Sequence, residues 1–283
     1  ATAATAATAA TVPGPTRTRK GDGPPHQFPE FGEVVTVPSL EVEAGSFIFL
    51  HGFGDSARGF VSQLPNLLQL PALRYILPTA PSRGGVMRSW FGSVGGAEDT
   101  RTMDYVHHLI RVELARGVQA KRVFVGGFSQ GGCVAVNAAL SFPDTALGGC
   151  IAASTFLSPP GVAVGLGLTI AEANRRLPVL CCHGDADPAV PLASGEALVK
   201  ALRERGVPTE LRIYPRMGHA YCPGEAADVA SFLQKRMLLA EGAMGLQQLS
   251  ARRLKSLLQE MGVSTVGCFD KDDFLERAVQ AGV

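Results

Sequence analysis

The chain has 283 residues, of which 46% are hydrophobic and 18% charged, a balance typical of a globular protein and not of a disordered one. Its 26 basic and 25 acidic residues give a formal net charge of +1, so nucleic acid and other polyanions are not expected partners. The longest candidate for a membrane span, residues 160–170, is shorter than the roughly 18 residues needed and contains three glycines, so we expect a soluble protein.

The first thirty residues differ in composition from the rest of the chain. They open with the repeat ATAATAATAAT and contain almost no large apolar side chain, which predicts that residues 1–30 form a disordered tail. Arg17, Arg19 and Lys20, with no acid among the first twenty residues, are also typical of a transit-peptide remnant, but the amphipathic pattern is missing. We therefore favour a solvated tail and a cytoplasmic location, with an organelle as the alternative.

From Val34 to about Leu239, short apolar runs alternate with helix-like segments. The strand candidates are Ser46–Leu50, Tyr75–Leu77, Arg122–Gly126, Gly149–Ala153, Val179–Cys182 and Leu211–Tyr214. The helix candidates are Ala57–Leu70, Glu98–Arg116, Gln130–Leu140, Ser194–Arg205 and Gly224–Leu239. This alternation predicts an α/β fold with a doubly wound, mostly parallel sheet and active residues in loops at the carboxyl ends of its strands.

The six cysteines have neither the spacing of a zinc site nor that of a disulfide framework. Cys181 and Cys182 are adjacent within an apolar run, which indicates buried free thiols and a reducing compartment. Cys133 lies among apolar residues, so we interpret it as a packing residue and not as a nucleophile.

The stretch GGFSQGG places Ser129 between Gly127 and Gly131, where a strand-like run turns into a helix-like one. The pattern G-x-S-x-G between a strand and a helix is typical of the nucleophile elbow of α/β-hydrolases. Side chains at the two glycine positions would collide in so tight a turn, and the first helical turn sets N–H groups beside the serine oxygen. Ser129 is therefore the predicted nucleophile.

A serine nucleophile needs a base and an acid, which follow it in this fold in the order Ser, Asp or Glu, His. Of the two later histidines, His183 precedes the candidate acids Asp185 and Asp187, so His219 is the predicted base. Spacing alone does not choose between the two acids. The prolines at both ends of the segment Pro188–Pro191 fix the backbone beside Asp187 and favour it, with Asp185 as a turn residue.

An acyl-transfer site also needs donors for the oxyanion that forms on the substrate. The backbone N–H of Gln130, directly after the nucleophile, is the first candidate. The second is the N–H of Phe53, because Gly52 and Gly54 let the backbone of HGFGD approach a substrate oxygen closely.

Six ordered segments, LHGFGDSARGF, ILPTAPSR, MRSWF, GGFSQGG, HGDADPAVP and MGHAY, resemble the acyl-protein thioesterase and lysophospholipase-type carboxylesterase family of α/β-hydrolases. The resemblance covers about Gly45 to Leu238. It implies a catalytic triad of Ser129, Asp187 and His219, and thereby prefers Asp187 to Asp185, with Phe53 and Gln130 as oxyanion donors. It also implies hydrolysis of acylated-cysteine thioesters, lysophospholipids or small carboxylic esters, with no metal and no cofactor.

Two loops bear on the substrate. By the resemblance, Trp90 borders the acyl-binding groove, where its ring suits either core packing or substrate contact. The family commonly has an aspartate after Ser-Trp-Phe, whereas this chain has Gly92, which leaves the conformation of the loop and the acyl-chain preference open. The glycine- and valine-rich stretch Ser158–Arg176 is interpreted as either a mobile lid or a surface excursion.

Residues 241–283 lie outside the resemblance. Apolar residues at helical spacing begin at Leu246, break at Gly262 and resume near Asp270, which predicts a helical hairpin similar to SAP-type modules. Some such modules bind nucleic acid, but five basic and five acidic residues from Leu246 onward favour a protein partner or a packing role. The predicted organisation is a tail (1–30), a catalytic domain (31–240) and this C-terminal hairpin (241–283).

The expected function is that of a serine esterase or thioesterase acting on an acylated protein or a small acyl ester. A lysophospholipase, or a peptidase or lipase built on the same elbow, would differ only in its pocket. A non-catalytic α/β-hydrolase scaffold that recruits a partner through its C-terminal hairpin is the alternative from another class.

Overall fold

The structure, a computed structural model, describes residues 27–85, 87–92, 97–157, 168–240, 242–247 and 249–281. Its strands are β1 (Val34–Val37), β2 (Gly45–Leu50), β3 (Leu73–Pro78), β4 (Ser82–Arg83), β5 (Met87–Arg88), β6 (Val123–Phe128), β7 (Gly149–Ala153), β8 (Val179–Gly184) and β9 (Thr209–Tyr214). Its helices are α1 (Ala57–Phe60), α2 (Gln63–Leu68), α3 (Ala97–Ala115), α4 (Gln130–Ser141), α5 (Leu192–Glu204), α6 (Pro223–Ala240), α7 (Ala243–Gln247), α8 (Ala251–Glu260) and α9 (Lys271–Gln280).

Seven strands form one sheet in the order β1-β3-β2-β6-β7-β8-β9. Strand β1 runs antiparallel to β3, and every other neighbouring pair is parallel. The order steps outward from β2 to β3 on one side and from β6 to β9 on the other, as in a doubly wound fold. The predicted fold class is therefore confirmed, and β4 and β5 form a separate two-stranded ribbon.

Alternating side chains divide the core into two layers, one on each face of the sheet. In β2, Ile48 and Leu50 belong to the layer shared with helices α3, α4 and α5, whereas Phe47 and Phe49 belong to the layer shared with α1, α2 and α6. This alternation follows from the two-residue period of a strand. Both faces are covered, as a parallel sheet requires.

All six predicted strands are present, but the sequence analysis missed β1 and the ribbon of β4 and β5. The predicted helix Ala57–Leu70 is two helices, α1 and α2. Pro65 lies in the first turn of α2, where its missing N–H is tolerated, but it cannot continue a helix that begins at Ala57. The chain therefore turns between the two helices.

The C-terminal residues form three helices and not the two of a hairpin. Ser250 caps α8 by accepting a hydrogen bond from the Arg253 N–H, which separates α8 from the short α7. Gly262, with a φ of 72°, follows α8, and Asp270 begins α9 with a capping box. The predicted break at Gly262 and the restart near Asp270 are thus as expected.

All six cysteines are free thiols, and four of them, Cys133, Cys150, Cys181 and Cys182, are buried. Burial raises the pKa of Cys181 to about 12, which keeps this thiol protonated and unreactive.

Across the described residues, no helix combines the length and the apolar character that a bilayer crossing requires.

Candidate active site

Ser129 lies on a strained turn between β6 and α4. Its backbone has a φ of 54° and a ψ of −121°, a conformation that residues other than glycine rarely adopt. A Cβ added to Gly127 would lie 2.4 Å from the Gly131 carbonyl carbon, and one added to Gly131 would lie 2.2 Å from the Leu50 oxygen. Both contacts are with backbone atoms that cannot move aside, so the elbow requires glycine at both positions.

Backbone hydrogen bonds hold the strained serine in place. The Ser129 N–H donates to the Ala153 carbonyl at 2.9 Å, and the Ser129 carbonyl accepts from the Thr155 hydroxyl at 2.6 Å. These bonds tie the elbow to the end of the neighbouring strand β7. The position of Ser129, the predicted nucleophile, is therefore fixed by backbone contacts to the sheet and not by its own side chain.

His219 and Asp187 come together from two loops that follow β8 and β9. The His219 Nδ1 lies 2.7 Å from the Asp187 Oδ2, and the imidazole keeps 23% of its surface exposed while the carboxylate side chain has none. Because Nδ1 donates to the carboxylate, the neutral ring presents an unprotonated Nε2. The centroids of the His219 ring and the ring of Phe128, the residue before Ser129, are 4.6 Å apart.

The Asp187 carboxylate is held by several donors. Its Oδ1 accepts from the N–H groups of Ala189 and Val190 at 2.9 and 2.8 Å. Burial by itself would raise the pKa of Asp187, but the hydrogen bonds from Val190, His219 and Ala189 outweigh it and leave the pKa below its usual value. Asp187 is thus kept ionised as the partner of an imidazole.

The two alternatives of the sequence analysis occupy supporting positions. Asp185 accepts a hydrogen bond from the Arg216 N–H at 2.6 Å, in the turn that leads to His219. His183 is buried, and its Nε2 lies 2.8 Å from the Val190 carbonyl, inside the Asp187 loop. Both residues brace the loops, but the Asp185 bond joins two loops 31 residues apart and is not the local turn interaction expected from sequence.

The loop after β2 lies beside Ser129. A Cβ added to Gly52 would be 3.6 Å from the Ser129 Cβ, and the Gly54 N–H donates to the Arg88 carbonyl of β5 at 2.8 Å. Phe53, between these glycines, has 57% of its surface exposed. The ribbon of β4 and β5 therefore braces the loop that carries the predicted oxyanion donor.

His51 fixes the start of this loop as a neutral imidazole. Its Nε2 accepts from the Ala80 N–H at 3.0 Å, and its Nδ1 donates to the Gly52 carbonyl at 2.7 Å. Burial lowers the pKa of His51, so the ring stays uncharged near neutral pH. A neutral ring is needed, because an imidazolium could not accept the Ala80 hydrogen bond.

Gln130 joins the elbow to the loop of Trp90. It is the first residue of α4, so its N–H has no carbonyl one turn back to bond to. Its side-chain oxygen accepts from the Trp90 N–H at 2.9 Å, and its side-chain nitrogen donates to the Phe91 carbonyl at 3.1 Å. The sequence analysis identified only the backbone of Gln130 and missed this clamp.

Trp90 is fully buried, so the expected contact between its side chain and substrate does not fit its position. Its indole N–H donates to the His51 carbonyl at 2.7 Å, which places the ring beside the start of the loop that follows β2. The core-packing interpretation agrees with this structure. Gly92 ends the described part of this loop, because residues 93–96 lie outside the described residues.

A cavity of about 400 Å³ opens beside the Asp187 loop. Its lining comprises Phe156–Leu157 after β7, Ala189–Pro191 after Asp187, and Ser194 and Ala197 on or near the first turns of α5. Most of these side chains are apolar, as in small-molecule sites.

The stretch Ser158–Arg176, expected to be either a lid or a surface excursion, lies partly outside the described residues (158–167). Ile170 in its second half packs against the core.

Within the described ranges, no three His, Cys, Asp or Glu side chains are grouped so that they could hold a metal ion. The site brings together a serine on a strand-turn-helix elbow and a histidine–carboxylate pair on later loops, and the N–H groups of Phe53 and Gln130 remain its predicted oxyanion donors. On a mostly parallel sheet, this arrangement defines an α/β-hydrolase.

Comparison with known proteins gives the family. A family model described as Phospholipase/Carboxylesterase matches residues 32–237, and the chain belongs to this family. Acyl-protein thioesterase 1 of Gibberella zeae is 32% identical over 222 residues, which cover 71% of this chain and 94% of that protein. A probable inactive carboxylesterase of Oryza sativa subsp. japonica is 35% identical over 192 residues, 61% of this chain and 77% of that protein.

The crystal structure of Arabidopsis thaliana SOBER1 superposes with a TM-score of 0.61 at 27% identity, covering 68% of this chain and 99% of that one. The matches confirm the family resemblance and the predicted class of hydrolytic esterase.

Proposed function

We propose that the protein hydrolyses acyl thioesters or carboxylic esters through a covalent acyl-enzyme formed on Ser129. The observation that carries this proposal is the 2.7 Å hydrogen bond between His219 and Asp187, with the His219 ring packed on the residue that precedes the strained serine. Acylated cysteine is the proposed acyl carrier, since the curated relative from Gibberella zeae is named as an acyl-protein thioesterase.

In the proposed reaction, His219 Nε2 removes the Ser129 hydroxyl proton as the oxygen attacks the acyl carbonyl carbon. The N–H groups of Phe53 and Gln130 donate to the oxyanion of the tetrahedral intermediate. The imidazolium then protonates the leaving thiolate or alkoxide. Asp187 stabilises the imidazolium throughout, and water later releases the acid by the same base catalysis.

Substrate preference is proposed to depend on the cavity beside the Asp187 loop. An acyl chain bound there would lie between Phe156 and Val190, whose apolar side chains favour a hydrocarbon tail over a polar one. A lysophospholipid would offer the same kind of chain, so this activity stays an alternative within the same mechanism.

The test compares kcat/KM on a palmitoylated-cysteine peptide and on a short-chain oxoester, with the Ser129→Ala protein as blank. Loss of the nucleophile is expected to lower turnover by about 10⁴-fold or more, because the base and oxyanion donors alone retain little rate. Preference for the long thioester would support acyl-protein thioesterase activity. Hydrolysis by Ser129→Ala equal to wild type would reject the assignment.

A non-catalytic scaffold is the second candidate, because one relative is named a probable inactive carboxylesterase. A fluorophosphonate probe separates the two proposals, since it reacts only with an activated serine. Labelling of the wild type but not of Ser129→Ala would reject the scaffold.

We also propose that residues 241–283 contact a protein partner and that the protein resides in the cytoplasm, whose reducing conditions suit its free thiols.

A further inference from the structure

Glu225 is a buried acid in the helix that directly follows the loop carrying His219. It lies in the first turn of α6 and has no exposed surface. Among the described residues, neither of its carboxyl oxygens has a hydrogen-bond partner of ordinary geometry. A buried carboxylate without a partner is costly, so a group in this position needs an explanation.

The surroundings of Glu225 lead to the active site through two aromatic rings. Tyr221 lies four residues earlier, and its buried hydroxyl also has no partner among the described residues. The Tyr221 ring packs 5.0 Å from Phe128, and Phe128 in turn packs 4.6 Å from His219. Tyr221 and His219 thus share Phe128 as their packing surface, directly before the nucleophile.

No cation of the described residues balances a charge at Glu225. The titratable groups that interact with it are Cys182 on β8, Tyr221 in the loop and Asp228 on α6. The Cys222 sulfur accepts from the Glu225 N–H, and Tyr214 on β9 donates to Asp228. Helices α1 and α2 contribute the apolar Phe60 and Leu64 to the same layer of the core. Arg58 on α1 is exposed and bound to Glu33 at 2.5 Å.

Burial accordingly raises the pKa of Glu225 to about 8, with the backbone of Cys222 lowering it and the charge of Asp228 raising it. At neutral pH the carboxyl group is therefore mostly protonated. Above this range it becomes an anion within an apolar layer, near phenols, thiols and a second carboxylate, none of which can neutralise it.

We infer that Glu225 is a positioning residue for His219: its neutral carboxyl group lets Tyr221 and Phe128 pack closely, and its ionisation loosens the loop that holds the histidine. This inference rests on the proposed function of His219 as the base. Displacement of the base by even a fraction of an ångström slows proton transfer while leaving the acyl-binding surface in place. The effect is therefore expected in kcat more than in KM.

The experiment measures kcat/KM of the full chain on a short-chain oxoester from about pH 6 to about pH 10, with Ser129→Ala as the blank at each pH. The wild type is expected to lose activity above about pH 8, several-fold by about pH 9.5. Glu225→Gln, which keeps the shape and cannot ionise, is expected to keep its activity over this range. Glu196→Gln removes an exposed carboxylate of α5 and is expected to follow the wild type.

Asp228→Asn gives an independent variant. Removing this negative charge lowers the pKa of Glu225, so the alkaline loss is expected to begin at a lower pH than in the wild type. This variant still tests the inference about Glu225 if Glu225→Gln does not fold. An alkaline loss that is the same in Glu225→Gln and wild type, or is unmoved in Asp228→Asn, would overturn the inference.

Thermal unfolding tests the protonation state of Glu225 without measuring activity. An acid whose pKa is higher in the folded than in the unfolded state stabilises the fold below the unfolded pKa and loses that contribution as pH rises to the folded value. The Tm of Glu225→Gln relative to wild type is therefore expected to rise between about pH 4.5 and 8 and then level off. A wild type inactive at about pH 7 would instead reject the proposed function, and this comparison of Tm values would still test Glu225.

Discussion

The sheet region and the C-terminal helices are built in different ways. Residues 32–237 match the family and bury two apolar layers, one on each face of the sheet. Helices α7, α8 and α9 instead surround one small cluster of their own, against which Leu238 and Leu239 at the end of α6 pack. Backbone contacts in the first region hold the loops that carry the predicted catalytic residues, whereas the apolar cluster of the second region is joined to the first, within the described residues, through the end of α6. We propose that they are separate folding units.

The largest expected effect sharpens the assignment of chemistry to the sheet region. Asp187→Asn is expected to lower kcat by roughly 10²- to 10⁴-fold, because the amide cannot stabilise the imidazolium of His219. Asp185→Asn removes a carboxylate two residues away that only accepts from the Arg216 N–H, so a loss below about tenfold is expected. Steady-state kinetics compares the kcat of the two variants. Equal losses of kcat would contradict the choice of Asp187 as the acid of the triad.

The next prediction separates the two regions by stability. Leu140 on α4 and Leu257 on α8 are both fully buried, and each change to alanine is expected to cost about 2–5 kcal/mol in its own region. Trp90 is the single tryptophan and lies in the sheet region, so its fluorescence follows that region alone. Leu140→Ala is expected to lower the midpoint of the Trp90 transition and the temperature at which hydrolysis fails.

Leu257→Ala is expected to lose helical circular dichroism early while the Trp90 transition and kcat/KM stay at wild-type values. A shift of the Trp90 midpoint equal to that of Leu140→Ala would break the comparison, because it would mean that the two regions unfold together.

The smallest expected effect lies at the start of α9. The Asp270 side chain accepts from the Asp273 N–H at 3.0 Å, and the Asp273 side chain accepts from the Asp270 N–H at 3.2 Å. Asp270→Ala is expected to destabilise the C-terminal helices by about 1 kcal/mol, as loss of a helix cap does. Asp272→Ala changes an exposed neighbour in the same turn and serves as control; thermal melts that show equal losses would argue against the cap.

The main features of the fold could be predicted from sequence because each buried strand is a short apolar run between helical segments. Strand β1 was missed because it is a four-residue edge strand, and β4 and β5 have only two residues each. The break between α1 and α2 depends on one proline. Such short elements carry too little periodic signal to be recognised.

The candidate triad residues could be chosen from the sequence because the chemistry restricts both residue type and chain order, and the kinetic tests above decide the assignment. The side-chain clamp of Gln130 and the burial of Glu225 were not predictable. A glutamine or glutamate in the first turn of a helix is ordinary, and only tertiary packing decides whether it faces solvent, a loop or the core. The same reason explains why Trp90 could be interpreted as core or as groove.

The distribution of thiols gives the protein a labelling pattern that needs no engineering. Four cysteines are sealed within the sheet region, while the half-buried Cys222 lies three residues after His219 and the half-buried Cys268 lies between α8 and α9. A maleimide reagent under native conditions should therefore modify only these two, one near each of the regions compared above. The chain thus holds two natural sites for dyes, from which the distance between the loop of His219 and the C-terminal helices can be followed.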